Sequence, residues 1–441
     1  MLIFNSEMNY KRDEGPKVGM EGTSKKIDEN NTHNFYHSNG KNNNNISENK
    51  KRHDNQKFTK KKSSKRKNDS WKKGIVVLIL AGLLIAVFFS PLYPDIQNLW
   101  GGPVYPERAH FSIQRTFDIR TNRDINYNMT LIVPEDIPEN DIQYIRDVEW
   151  DGEPTTEKLY GRDWKYWEGS LSSGESKSIE IVYEAETRTL DWGYSSDDIG
   201  TVDDLPDEVK DRYNRNQWQL EEDRNGDGEN DWMIQPDHPQ IKSLAEDIVE
   251  GEENIYDKSR AIYSWINRNI KYELGGSGLP KHAYWVLESG SGDCDEQSFL
   301  YASLARAVEI PAYLELGVLY DRMANRWEGH GWIRQMVVND EGTIGWINID
   351  PVNNQFFARG ANRITFWIDD GIEGHLNDYY YFFSWSPPGG VSVTENFKNI
   401  GMETEGQIIL GDTDDIPGFT MKVAAPAVII SFFIFKVKKD S

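Results

Sequence analysis

Ser291-Gly-Asp-Cys-Asp-Glu-Gln-Ser-Phe-Leu-Tyr-Ala-Ser-Leu-Ala-Arg-Ala-Val-Glu-Ile-Pro-Ala312 reads as a loop, a helix and a proline stop. Asp293 is a good N-cap, and Glu296 occupies the third helical position, the spacing of a capping box. Cys294 therefore falls in the first helical turn. There, unpaired backbone N–H groups and the positive end of the helix dipole favour a thiolate. Asp293 and Asp295 oppose this, because nearby negative charge raises a thiol pKa. The helix end alone does not activate the thiol, which needs a cationic partner. Further along, Leu300, Leu304, Ala307 and Val308 make one apolar face.

Upstream, Ile241-Lys-Ser-Leu-Ala-Glu-Asp-Ile-Val-Glu and the stretch from Tyr256 to Ile270 also show helical spacing. Downstream, extended runs are expected at 312–320, 330–338 and 345–350. Helices first and strands afterwards indicate an α+β domain. His330-Gly-Trp-Ile-Arg-Gln-Met-Val-Val and Gly345-Trp-Ile-Asn-Ile-Asp350 flank a turn at Asn339-Asp-Glu-Gly342. Antiparallel pairing about that turn would oppose residues whose numbers sum to 680 or 681, so His330 and Asp350 become opposite or diagonal neighbours. A carboxylate beside an imidazole fixes its tautomer and stabilises the imidazolium, which in turn stabilises a thiolate.

Gly292-x-Cys294 with Tyr301-Ala and Ile310-Pro-Ala, then His330-Gly-Trp, then Trp346-Ile-Asn-Ile-Asp350-Pro, resembles the transglutaminase-like superfamily, a papain-like thiol fold. Ala261-Ile-Tyr-Ser-Trp-Ile-x-x-Asn-Ile-Lys-Tyr resembles the helix before the family's cysteine. The likeness runs from residue 240 to 352 and suggests the membrane-anchored prokaryotic or archaeal type. Gly331 stands where the family often has alanine, and Glu309 replaces the usual glycine before Ile-Pro. The resemblance implies Cys294 as nucleophile, His330 as general base and acid, and Asp350 as orienting residue. It implies attack on a carboxamide, a Cys thioester, and resolution by an amine or by water, with no cofactor required. The oxyanion donors would be the Cys294 N–H and one upstream side chain. Trp285 is a candidate for that role, though an aromatic there is more often core, and His282 reads as structural or surface. The same triad also serves a cysteine peptidase or amidase. The remaining alternative is a non-catalytic surface scaffold.

The rest of the chain places this domain. Residues 1–73 carry 18 Lys/Arg against 9 Asp/Glu in a chain of net charge −23, leaving −32 for the remainder. They are rich in Asn, Lys and Ser and read as a disordered basic tail. An uncharged stretch occupies 74–94, close to the ~20 residues needed to cross a bilayer. The positive-inside rule then puts the tail in the cytoplasm and the catalytic domain outside, anchored to the cell membrane. A second span is expected at 418–436, its core the apolar run Val423–Phe435 with lysines behind it. Residues 95–190 alternate apolar and polar in short runs, as in Phe111-Ser-Ile-Gln-Arg-Thr-Phe-Asp-Ile, and suggest a β-sandwich. Residues 191–235 are a linker, 236–370 the catalytic domain and 371–417 a C-terminal extension.

Within the linker, Asp223, Asn225 and Asp227 alternate, Gly228 and Glu229 come next, and Asp231 holds the ninth position. That spacing wraps a chain around a hard cation, so these residues are candidate ligands for a structural calcium. Ile234 at the twelfth position removes the bidentate glutamate of an EF-hand. The strongly acidic body argues against nucleic acid as a partner and favours a protein or peptide amide substrate at the membrane surface. With one cysteine, no intramolecular disulfide exists, and the body must be stable through its core.

Overall fold

The computed structural model describes residues 3–4, 104–220, 230–274, 280–322, 324–372 and 374–410. The expected spans at 74–94 and 418–436, and the basic tail apart from residues 3–4, lie outside these residues. So do four of the five candidate calcium ligands, Asp223, Asn225, Asp227 and Glu229. Among the described residues no helix is long and apolar enough to cross a membrane.

Alternation of period two builds the first half from strands. β1 (Arg108–Thr121) buries Ala109, Phe111, Ile113, Phe117 and Ile119 along one face. It is followed by β2 (Ile125–Ile132), β3 (Gln143–Trp150), β4 (Thr155–Leu159), β5 (Arg162–Leu171) and β6 (Ser176–Arg188). Past residue 236 the apolar period lengthens to that of helices. α1 (Pro239–Ile248) buries Ile241 and Ala245; α2 (Ile255–Asn269) buries Ile255, Ile262 and Ile266. The short strand β7 (Lys271–Tyr272), α3 (Ala283–Ser289) and the short strand β8 (Ser291–Gly292) lead into α4 (Cys294–Ala307). β7 and β8 pair in parallel.

Next come β9 (Ala312–Asp321), β10 (Arg326–Val338), β11 (Ile344–Asp350), β12 (Gln355–Phe356) and β13 (Arg363–Ile368). They form one sheet in the order β12-β11-β10-β9-β13. α4 packs against β9 and β10, and residues Glu296 to Arg306 are all buried. The single apolar face expected for this helix is thus too narrow a description: the helix is core on every side between Glu296 and Arg306, and only its two ends are partly exposed.

After α5 (His375–Tyr380), the strands β14 (Phe383–Ser386) and β15 (Val391–Glu405) return to the first half. There β15-β1-β6-β3 form one sheet and β14-β2-β5-β4 another, with Ile3–Phe4 paired along the outer edge of β15. The two sheets share a core, where Trp150 of β3 meets Trp167 of β5 at 5.8 Å. The chain therefore leaves the sandwich after β6, builds the helix-and-sheet half and comes back to finish the sandwich with residues of the expected extension. Buried Gln143 ties the halves together. Its Nε2 donates to the Thr365 carbonyl (2.8 Å), and its Oε1 accepts from the Thr365 N–H (2.7 Å), like a one-residue strand pair.

Candidate active site

The Asp293 carboxylate accepts the Glu296 N–H at 3.1 Å, and Glu296 Oε2 accepts the Asp293 N–H at 3.2 Å. This capping box fixes the start of α4 and sets Cys294 at its first position. Glu296 also accepts the Lys281 N–H (2.7 Å), so the loop before the helix is tied down as well. Gln297 Nε2 donates to the Gly292 carbonyl at 2.9 Å, holding the Gly-x-Cys turn against the helix. Cys294 is half-buried.

His330 lies inside β10, opposite Gly317 of β9. Any Cβ at Gly317 would sit 2.0 Å from the Ile364 carbonyl oxygen, so only glycine allows β13 to come this close. β10 and β11 pair with residue numbers summing to 682, as in Ile333↔Ile349 and Val338↔Ile344. The expected register is therefore off by one or two positions. The cause is a longer turn, closed by the Asn339 N–H donating to the Thr343 carbonyl at 3.0 Å. Continuing the observed register sets Asp350 across from Trp332, which makes His330 its diagonal neighbour. His330 Nε2 lies 2.8 Å from Asp350 Oδ2.

Asp350 is 1% exposed and crowded with donors. Asn353 gives its side-chain N–H to Oδ2 (2.8 Å) and its backbone N–H to Oδ1 (3.1 Å), while Arg363 Nη2 stands 3.0 Å from Oδ2. Burial alone would raise the Asp350 pKa. The charges of His330 and Arg363, together with these hydrogen bonds, outweigh it and hold the carboxyl well below the usual range. An ionised Asp350 accepts a hydrogen bond from His330 Nε2–H, which leaves Nδ1 to exchange a proton elsewhere. Trp332 stacks on His330 (ring centroids 5.8 Å apart), and the Arg363 guanidinium lies 4.7 Å over the Trp332 ring.

Helix and sheet meet at Gly331. Its backbone N–H hydrogen-bonds the Cys294 sulfur, one residue from His330. Ser298 Oγ donates to the Cys294 carbonyl (2.8 Å) and reaches the Gly331 carbonyl (3.4 Å). Burial, then Asp295 and Asp293, push the Cys294 thiol well above its ordinary pKa, against the pull of the Gly331 bond. Burial is the largest of these effects, and the two aspartates add to it. Asp295 Oδ1 is 3.6 Å from the sulfur, and Tyr380 donates to Asp295 Oδ2 at 2.8 Å.

Three contributors escape a reading of motifs. Asn353 could have been found, since Asp-x-x-Asn is the spacing at which an aspartate accepts a following backbone N–H. Arg363 and Tyr380 reach the site only through tertiary pairing, and nothing local signals them. Trp285 sits on α3, 46% exposed, its ring 5.9 Å from that of His282. His282 is buried and caps α3, its Nδ1 accepting the Trp285 N–H at 3.2 Å. Asp231 is buried as well, with its carboxylate 3.9 Å from His282 Nε2. Residues 217–219 and 232–234 pair antiparallel on either side of the candidate calcium loop. Among the described residues no cluster of three or more His, Cys, Asp or Glu is arranged to hold a metal.

Residues 242–351 match the sequence profile of the transglutaminase-like superfamily. No curated protein matches the chain. Among solved structures, a candidate cysteine protease from Cytophaga hutchinsonii aligns at 14% identity and a TM-score of 0.48, over 68% of this chain and 93% of that one. The periplasmic domain of TgpA from Pseudomonas aeruginosa aligns at 12% identity and a TM-score of 0.25, over 55% and 87%. A candidate protease from Parabacteroides distasonis aligns at 14% and 0.23, over 55% and 47%. The stretch that matches the profile, residues 242–351, is the one that supplies the central helix, most of its sheet, and Cys294, His330 and Asp350.

Proposed function

We propose that the chain is a membrane-anchored thiol enzyme that transfers the acyl group of a carboxamide through a Cys294 thioester. The observation that carries this reading is a histidine held 2.8 Å from a buried, ionised aspartate, one residue from the point where the strand meets the helix that begins at Cys294. His330 Nδ1 takes the thiol proton as sulfur attacks the carbonyl carbon. The oxyanion is met by the Cys294 N–H, which has no acceptor within its own helix. The proton then passes from Nδ1 to the leaving nitrogen, the C–N bond breaks, and ammonia or an amine departs. A second amine, or water, gives a proton to Nδ1, attacks the thioester and expels the thiol.

Cys294 is not fully buried, so water can still reach it as acceptor, and this favours the peptidase or amidase reading as the second choice. The test is ammonia release from a glutamine peptide, with and without a primary amine. Release should fall at least ~100-fold in both Cys294→Ala and His330→Ala. Amine incorporation would assign transfer, and release without it hydrolysis. Release that persists in Cys294→Ala would end the thiol-enzyme reading, and no release from the wild type would leave the scaffold.

The anchor rests on sequence. Pairing of Ile3–Phe4 with β15 would put residue 3 on the same side as the sandwich, which a cytoplasmic tail forbids. A two-residue pairing is worth about 1–3 kcal/mol. Against it stand 21 uncharged residues at 74–94, whose apolar members each favour the bilayer by roughly 0.3–0.6 kcal/mol. The span is the stronger term. The substrate is accordingly a surface protein or peptide amide, and the 223–231 loop is a candidate for a structural calcium between the two halves.

A further inference from the structure

The carboxylate of Asp295 has no role in the acyl transfer, yet it is built into the site with care. One oxygen lies 3.6 Å from the Cys294 sulfur, and the other accepts the Tyr380 hydroxyl at 2.8 Å. The strand opposite is cut away to admit it: a Cβ at residue 331 would sit 2.3 Å from Asp295 Oδ1. Three elements, α4, β10 and α5, thus converge to hold one carboxylate against the nucleophile. We infer that Asp295 is a positioning residue that retains the Cys294 proton in the resting site, so that the thiolate forms only when this carboxylate is neutralised or displaced. This rests on the thiol-enzyme reading, since holding the proton matters only if Cys294 is the nucleophile.

A thiol at this distance donates its proton to the carboxylate, and the negative charge then opposes formation of a second one on sulfur. The surroundings reinforce this. Asp293 at the helix cap, Asp350, Tyr272 on β7 and Tyr379 and Tyr380 on α5 all interact with this pair, and His330 opposes them by favouring the ionised Asp295. Burial, and then Asp293, push the Asp295 carboxyl up to about 6. The Asp295 carboxyl therefore takes up a proton not far below neutrality, where a modest change in the environment can neutralise it.

The experiment is iodoacetamide alkylation of Cys294 in the full-length protein between pH 5 and 9. Wild type is compared with Asp295→Asn, Tyr380→Phe, Asp295→Glu and His330→Ala. Asp295→Asn keeps the shape and removes the charge, so the thiol midpoint should drop by at least about one unit and alkylation at pH 7 should rise about tenfold. Asp295→Glu keeps the charge and should stay slow. Tyr380→Phe removes a bond that favours the ionised Asp295, so it should speed labelling in the same direction but less. A purely structural role would loosen the site without moving the midpoint. Asp295→Asn alkylated no faster than wild type at any pH would overturn the inference. If that variant does not fold, Tyr380→Phe labelled no faster than wild type does the same. His330→Ala separates the two readings: if its labelling is not slowed, the thiol-enzyme reading fails, whatever Asp295→Asn shows.

Discussion

Replacing Asp350 by Asn separates what that residue does for stability from what it does for chemistry. The side chain is 1% exposed, and Arg363, fully buried, stands 3.0 Å from Oδ2. The amide keeps one acceptor oxygen but carries no charge, so the guanidinium is left in the core without its counter-ion. Breaking a buried pair in this way costs about 3–5 kcal/mol, because the orphaned charge stays desolvated. Against a total stability of roughly 5–15 kcal/mol, the variant should still fold but unfold at much lower urea. Removing the orphan as well, in Asp350→Asn with Arg363→Met, should return part of that loss. The double variant should be more stable than the sum of the two single changes predicts. Chemistry should not return with it, since His330 Nε2 has still lost its carboxylate. The assay is urea unfolding followed by tryptophan fluorescence, run beside ammonia release. An Asp350→Asn variant within ~1 kcal/mol of wild type, or strictly additive changes in the double variant, would refute the buried-pair argument.

Two further outcomes follow from charge. Asp295 and Asp369 are each pushed up to about 6, in both cases first by burial, so the folded protein binds protons that the unfolded chain releases near ~3.9. Stability should therefore fall as pH rises from ~4 to ~6 and level off above, by at most about 3 kcal/mol per group. Asp350 has the opposite sign, its contribution being complete above ~3.9 and lost below it as the pH falls through its depressed folded pKa. Urea midpoints between pH 4 and 7 test this: Asp295→Asn should flatten the slope, and an unchanged profile would show that the residue is not titrating there. For topology, cysteines placed singly at residues 40 and 200 in a Cys294→Ala background should react differently with an impermeant maleimide in intact cells. Labelling at 200 alone supports the span, and labelling at both removes it.

How far the sequence reveals the helix-and-sheet half depends on the range of the interactions that build it. The start of α4, its capping box and the position of Cys294 are set within four residues, so local chemistry predicts them. The β10–β11 pairing is set by a turn of a few residues. The sequence places it to within two positions, because the turn closes one residue later than its Asn-Asp-Glu-Gly core suggests. β15 illustrates the opposite case. Its fifteen residues include Glu395, Asn396, Lys398, Asn399 and Gly401, and only part of one face is buried, so no clean alternation marks it as a sandwich strand. It pairs along the whole length of β1, nearly three hundred residues away in sequence, and that partner supplies the order its own composition lacks. Arg363 and Tyr380 are invisible in the sequence for the same reason: an arginine in an apolar strand and a tyrosine on a short helix gain meaning only from what the fold sets beside them.

Gly331 shows how a small departure from a family pattern can point to chemistry. Taken alone, glycine after the histidine is a mild variation on alanine, and it makes β10 slightly weaker. In the folded chain, the missing methyl is what lets Asp295 Oδ1 enter, since a Cβ would lie 2.3 Å away. Gly331 N–H also bonds the Cys294 sulfur, so the residue favours the thiolate through its backbone while admitting, through its bare Cα, the carboxylate that opposes it. These two effects cannot be tuned separately by a substitution at 331. An alanine there would either displace Asp295 from the thiol or push β10 away from α4 and lengthen the sulfur's hydrogen bond. The glycine and the aspartate are therefore one feature, and the thiol's resting protonation is written into the pair rather than into either residue.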